Sequence, residues 1–148
     1  MPTIRTSPRA IIRRDNRYLV VRYQDSAGHW FVFPGGGQKH NEDLHQALLR
    51  EVEEEIGVVP TIGRLRFVRE CIADRIPESN LSPGFHQLEI FFDCTIPDGP
   101  VVSGPAPDPN QLGVDWMTTN ELREIRFYPQ AIVHLLNDDR AQFVGAYR

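Results

Sequence analysis

One stretch, Gly35 to Val58, reads GGGQKHNEDLHQALLREVEEEIGV and constrains this chain more than any other part of it. Its first half is a glycine-rich turn and its second half a helix. Asn41 or Asp43 can cap the helix start, and Gly57 followed by Pro60 stops it. Ala47, Leu48, Val52 and Ile56 recur at helical spacing, so one side of the helix is suited to pack on a core.

The other side is acidic. Glu51, Glu54 and Glu55 stand at relative positions 0, 3 and 4, which places three carboxylates on one face, a turn apart. Like charges at that spacing repel, and near a helix C-terminus they also oppose the dipole. A solvated acidic face accommodates them at modest cost. A hard divalent cation accounts for them better, because Mg²⁺ or Mn²⁺ takes carboxylate oxygens and keeps part of its water shell.

The order of residues narrows the reading. Gly36, five residues, Glu42, seven residues, Arg50-Glu51-Val52, one residue, Glu54-Glu55, one residue and Gly57-Val58 resembles the complete signature of the Nudix hydrolase family. Every fixed position is filled, with no substitution and no insertion. The resemblance implies an α/β fold of the Nudix type, a three-layer α/β/α sandwich around a central mixed β-sheet. It also implies metal-dependent hydrolysis of a nucleoside diphosphate linked to another moiety, at the pyrophosphate.

Roles carried over by the resemblance fall on particular residues. Glu54 and Glu55 are expected metal ligands, and Glu51 is a third ligand or acts through a bound water. The backbone carbonyl of Gly35 is expected to complete the shell. Arg50 would orient a ligand carboxylate, while Gly36, Glu42 and Gly57 fill structural positions, Glu42 by a helix-start charge or a salt bridge. Mg²⁺ or Mn²⁺ is the implied cofactor. Some members place a glutamate six residues ahead of the late-strand tryptophan. Here that position is Asn110 beside Gln111, neither of them a base, so the general base is expected at Glu51 or elsewhere, with Glu70 and Glu89 as strand carboxylates. His86-Gln87-Leu88-Glu89 resembles a segment of many bacterial members, which adds Glu89 to the expected metal shell.

The rest of the chain supplies a sheet. Met1 to Ser7 reads as a lead-in, and Arg9–Arg14 and Tyr18–Tyr23 as a hairpin around Asp15-Asn16. Trp30–Phe33 reads as a supporting aromatic strand, with Trp30 at the pocket border. Ile62–Ala73 and Phe85–Ile96 read as long strands, joined by a polar loop, 74–84, that could wall or cover a substrate. The Pro- and Gly-rich segment 97–109 reads as a connection. Leu112–Met117 reads as a strand, followed by a short helical turn capped by Thr118 or Thr119. The stripe of Ala131, Ile132, Leu135 and Leu136 predicts a helix over 129–137 that closes the second face of the sheet.

At 148 residues this reads as one domain with enough chain for a real core. The net charge of −4 argues against a general nucleic-acid binder, although it leaves room for an anionic small substrate once a cation inverts the local sign. Cys71 and Cys94 read as two reduced strand cysteines. No apolar run approaches 18 residues and no hydrophobic leader is seen, so no membrane role and a cytoplasmic protein are expected. The expected partner is a small nucleotide, and the resemblance allows a homodimer. By placement, Arg22, Phe33, Lys39, Arg69 and Phe127 are the substrate-contact expectations. Three rival readings stand beside hydrolysis: a nucleotide-binding member that has lost turnover, an isomerase of the isopentenyl diphosphate type, and a non-enzymatic acidic domain.

Overall fold

A computed structural model describes residues 3–76 and 81–144. Eight strands form one mixed sheet: β1 (Arg5–Arg14), β2 (Arg17–Asp25), β3 (Gly28–Val32), β4 (Thr61–Ile72), β5 (His86–Thr95), β6 (Gln111–Met117), β7 (Phe127–Tyr128) and β8 (Gln142–Val144). Two helices, α1 (Leu44–Ile56) and α2 (Thr119–Glu124), and two 3₁₀ segments, Ala73–Arg75 and Gln130–Leu135, complete the described chain. The strand order is β7-β3-β2-β1-β5-β4-β8, with β6 paired to β2.

Strand alternation sorts the apolar residues into two layers. Ile11, Val20, Phe33, Phe67, Phe91 and Phe127 pack with Leu122 of α2 and with Ile132, Val133 and Leu136. Their immediate neighbours Ala10, Ile12, Leu19 and Phe92 turn the other way and pack under Leu48, Val52 and Ile56 of α1. The result is the expected three-layer sandwich with a central mixed sheet.

The hairpin β1–β2 is paired only at its turn end, Arg13 with Tyr18 and Arg14 with Arg17. Beyond it the two strands part, and the residues after β3 take the vacated side of β1. Ala10 N–H donates to Pro34 O at 2.8 Å, Gly36 N–H to Pro8 O at 3.3 Å and Gln38 N–H to Thr6 O at 2.8 Å. The glycine loop is therefore held along β1 by backbone hydrogen bonds. Helix α1 follows directly, capped by Asp43 rather than Asn41 in a capping box with Gln46. It ends at Gly57, whose φ of 74° is the left-handed conformation that glycine adopts without a Cβ penalty.

Two expectations need correction. The lead-in is shorter, because β1 starts at Arg5 and pairs in parallel with β5 from Arg5–Gln87 onward. The closing element is a six-residue 3₁₀ segment, with Ile132 N–H bonded to Pro129 O and Leu136 N–H to Val133 O. Its β-branched Ile132 and Val133 and its short length disfavour an α-helix, while its apolar side still covers the core. Strands β7 and β8 are too short to leave a periodic signal. The expected 74–84 loop begins with the 3₁₀ segment, and its residues 77–80 lie outside the described residues. Cys71 and Cys94 are buried and unpaired.

Candidate active site

The loop–helix unit is wired through Arg50. Its Nε and Nη2 donate to the two oxygens of Glu42 at 2.7 and 2.8 Å, its Nη1 to Glu51 Oε1 at 2.8 Å, and its Nη2 also to Gly37 O at 3.0 Å. Glu54 Oε2 lies 3.5 Å from Nη1. One guanidinium thus ties loop, helix start and acidic face together, geometry that a lysine would not reproduce. Arg50 and the Lys39 N–H hold the Glu42 carboxyl well below the usual range, at about 2.

Glu55 is handled differently. It is only 3% exposed, and its Oε1 accepts the Gly35 N–H at 2.7 Å, with the Tyr23 hydroxyl 3.4 Å from Oε2. Burial pushes its carboxyl up to about 8, against the attraction of Arg9. Among the described residues, no three His, Cys, Asp or Glu side chains converge as a ready-made cation site. The partners explain this: Glu51 is turned to Arg50, Glu55 to Gly35 and Tyr23, and Gly35 O accepts from Arg9 Nη1 at 3.1 Å. The donor set itself, three carboxylates on one helix face, is oxygen-only and fits a hard dication in kind.

These groups line one cleft of about 500 Å³, large enough for a nucleotide. Glu51, Glu54 and Glu55 form one wall. Arg5 and Arg9 of β1 form another. Trp30 lies at an aromatic wall, its ring stacked on Tyr23 with centroids 4.6 Å apart. Ala106 to Asn110 close the remaining side.

That last wall is docked on the helix end. Gly104 N–H donates to Glu55 O at 2.7 Å, Ala106 N–H to Glu54 O at 3.2 Å and Gln111 Nε2 to Glu55 O at 3.0 Å. Carbonyls that the helix leaves without internal partners are satisfied by the loop, which is thereby fixed beside the acidic face. Asp108 comes with it, and its carboxylate accepts the Asn110 N–H at 3.0 Å.

Two glycines at this junction carry opposite expectations. A Cβ on Gly36 would lie 2.5 Å from Glu51 Oε2, a movable side-chain end. Gly36→Ala is expected to displace that carboxylate, leaving the melting temperature nearly unchanged and lowering metal-dependent turnover about 10- to 100-fold, as for loss of an orienting contact. A Cβ on Gly104 would meet Glu54 O at 2.5 Å and Gly57 N at 2.6 Å, both backbone. Gly104→Ala should destabilise the fold by about 1–3 kcal/mol, read by thermal denaturation.

The five expected substrate contacts do not line the cleft. Phe33 and Phe127 are fully buried and pack edge-to-face on each other in the core, because their positions point away from the α1 side. Arg22 pairs with Asp115 at 2.9 Å. Lys39 is exposed on the loop, where its backbone serves Glu42. Arg69 is buried and donates to Glu89 Oε1 at 2.8 Å. Glu89 itself lies between Arg69 and Arg9, behind the cleft wall, and Glu70 pairs with His86 at 2.7 Å. Neither carboxylate is among the residues that line the cleft, so the structure does not bring Glu89 together with Glu51, Glu54 and Glu55. Arg5, Arg9, Tyr23 and Asp108 were not singled out by the sequence. Arg5 and Arg9 left one trace there, two cations four apart, whose shared strand only the structure shows.

A fold of two helical layers on a mixed sheet, with a glycine loop and a glutamate-faced helix wired by one arginine, defines a class. The NUDIX domain profile matches residues 4–137, and the chain belongs to this family. Over 57 residues, 36% of this chain and 42% of the relative, it is 42% identical to a CTP pyrophosphohydrolase of Escherichia coli. It is 25% identical over 124 residues, 83% of this chain and 67% of the relative, to an ADP-ribose pyrophosphatase of Methanocaldococcus jannaschii. The first of these matches spans less than half of the relative's length. Among solved structures, a MutT protein from Bacillus halodurans superposes with a TM-score of 0.72 at 19% identity, covering 95% of this chain and 88% of that one. A Nudix hydrolase from Nitrosomonas europaea does so at 0.68 and 18%, covering 97% and 78%. At these identities the structural likeness speaks for the fold. Among the described residues, no helix is long and apolar enough to cross a membrane.

Proposed function

We propose that this chain hydrolyses the pyrophosphate linkage of a nucleoside diphosphate joined to another group, with Mg²⁺ or Mn²⁺ as cofactor. One observation carries the reading: Glu51, Glu54 and Glu55 share a cleft with two arginines and a stacked aromatic wall. Glu51, Glu54 and Glu55 would hold the cation. Bound there, it neutralises phosphoryl oxygens and acidifies a water. Arg50 orients Glu51 and, at longer range, Glu54.

Of the four carboxylates that line the cleft, Glu51 or Asp108 would accept the proton of the attacking water. Glu51 is ion-paired with Arg50, whereas Asp108 accepts one backbone N–H and, among the described residues, forms no ion pair. Asp108 is the freer acceptor, and it replaces Glu70 and Glu89 as the alternative base. The Trp30–Tyr23 stack offers the apolar surface for a base or sugar. The activities named for similar proteins differ in the attached group and agree in cleaving at pyrophosphate, which supports the reaction without selecting the substrate.

The test is a panel of nucleoside triphosphates, nucleotide sugars, dinucleoside polyphosphates and ADP-ribose, incubated with Mg²⁺ or Mn²⁺ in ¹⁸O-labelled water. Metal-dependent products carrying the label on phosphorus are expected, with turnover depressed in Asp108→Asn. Tight nucleotide binding with no turnover across the panel would instead identify a binding module.

A further inference from the structure

The carboxylate wall leaves the cationic side of the cleft without a task. Arg5 and Arg9 are four residues apart on β1, so both side chains leave the same face of the strand, and both reach the cleft. Arg9 is 9% exposed. Its Nη1 donates to the carbonyls of Phe33 and Gly35 at 3.2 and 3.1 Å. Its Nε lies 3.3 Å from Glu89 Oε2 but, among the described residues, makes no hydrogen bond. Glu89 is shared with Arg69, so it does not serve Arg9 alone.

Arg5 is exposed as a residue, but its guanidinium end is part-buried against the cleft, donates to the neutral Gln87 Oε1, and forms no ion pair among the described residues. Gly37 makes its position available, since a Cβ there would lie 2.9 Å from Arg5 Nε. Burial and the charge of Arg9 both lower the Arg5 guanidinium from its ordinary value, as expected for two like charges brought to one wall. An anion between them relieves that repulsion, and the planar guanidinium fork matches phosphate oxygens two at a time.

We propose that Arg5 and Arg9 form a subsite for a terminal phosphate, which makes the substrate a nucleoside 5′-triphosphate rather than a nucleotide sugar or ADP-ribose. The inference rests on the pyrophosphohydrolase reading and adds the substrate class to it. Nucleotide sugars and ADP-ribose present two bridged phosphates and end in a neutral sugar. A triphosphate ends in a phosphate with three free oxygens and nearly twice the charge, the group that two guanidiniums favour most.

The experiment reads binding, so that it stands apart from turnover. Methylene-bridged ATP analogues, α,β and β,γ in separate runs, and the α,β-methylene analogue of ADP-ribose are titrated calorimetrically in Mg²⁺. The wild type is expected to bind a triphosphate analogue at least about tenfold tighter, an advantage that weakens with salt. Arg5→Gln should bring the ratio close to one with an unchanged melting temperature, and Arg5→Lys should recover part of it. Equal binding of both analogue classes by the wild type, binding of neither, or a ratio that survives in Arg5→Gln overturns the subsite. If the ratio holds while the substrate panel shows no turnover, the hydrolase reading fails and the subsite stands. If ADP-ribose is turned over while the ratio is one, the subsite fails and the hydrolase stands.

Discussion

Glu54→Gln is expected to lower turnover of the best substrate by about 10³-fold while the protein stays folded. The carboxylate is the most open of the three, with 37% of its side chain exposed, and its only ion pair among the described residues, to Arg50, is a 3.5 Å contact. Arg50 keeps Glu42, Glu51 and Gly37 as acceptors when that contact is lost, so little of the loop–helix framework depends on it. Gln preserves shape and removes the charge. A dication is worth several kcal/mol in stabilising charge at phosphorus, and each 1.36 kcal/mol is about tenfold in rate. The paired measurements are kcat with Mg²⁺ and the melting temperature. Activity within tenfold of the wild type would remove the glutamate face from the chemistry, and a collapse in melting temperature would reassign Glu54 to the fold.

Glu55→Gln is expected to separate stability from function in the opposite way. The Glu55 carboxyl is held at about 8 in the fold by burial, against an ordinary value of 4.5. The folded state therefore binds a proton that the unfolded chain releases. The stabilisation is fully present below about pH 4.5 and is lost as pH rises through about 8. In EDTA the wild type should lose stability between pH 5 and 8 relative to Glu55→Gln, by several kcal/mol at about 1.4 kcal/mol per unit. That corresponds to a difference on the order of 10 °C in melting temperature across the range. At pH 8 the variant should be the more stable protein and the less active one. Mg²⁺ should recover stability in the wild type alone, because a cation bound to the folded state favours the ionised form. Parallel melting curves for the two proteins across this pH range would show that burial does not hold the proton on Glu55.

Both expectations concern side chains that were legible as a group before any fold was known. The helix, its Gly57 stop and the single-face placement of Glu51, Glu54 and Glu55 follow from a 3.6-residue period, which depends on nothing outside the segment. The tie from Arg50 to Glu42 is similar, since loop and helix are adjacent in the chain. Strands were legible where alternation ran long, in β4 and β5, and illegible in β7 and β8, where two or three residues carry no period.

The expected substrate contacts lie away from the cleft for a different reason. Phe33 directly precedes the box and Phe127 lies far beyond it in the chain, but both side chains turn to the far layer, and that parity depends on which face the sheet presents to α1. Glu89 entered the expected metal shell because His86-Gln87-Leu88-Glu89 resembles a segment of bacterial family members. Its partners are Arg9 and Arg69, one across the parallel β1–β5 pairing and one across the antiparallel β4–β5 pairing. The sequence by itself determined the family signature, the acidic helix face and the kind of ion it suits, because these are encoded within 24 consecutive residues. Only the tertiary structure decided what faces that helix. Arg5, Arg9, Tyr23, Trp30 and Asp108 come from distant segments, brought together by strand pairing and by a loop that satisfies the helix's last carbonyls. Contacts of that kind are selected by whole-chain packing and leave no local pattern to read.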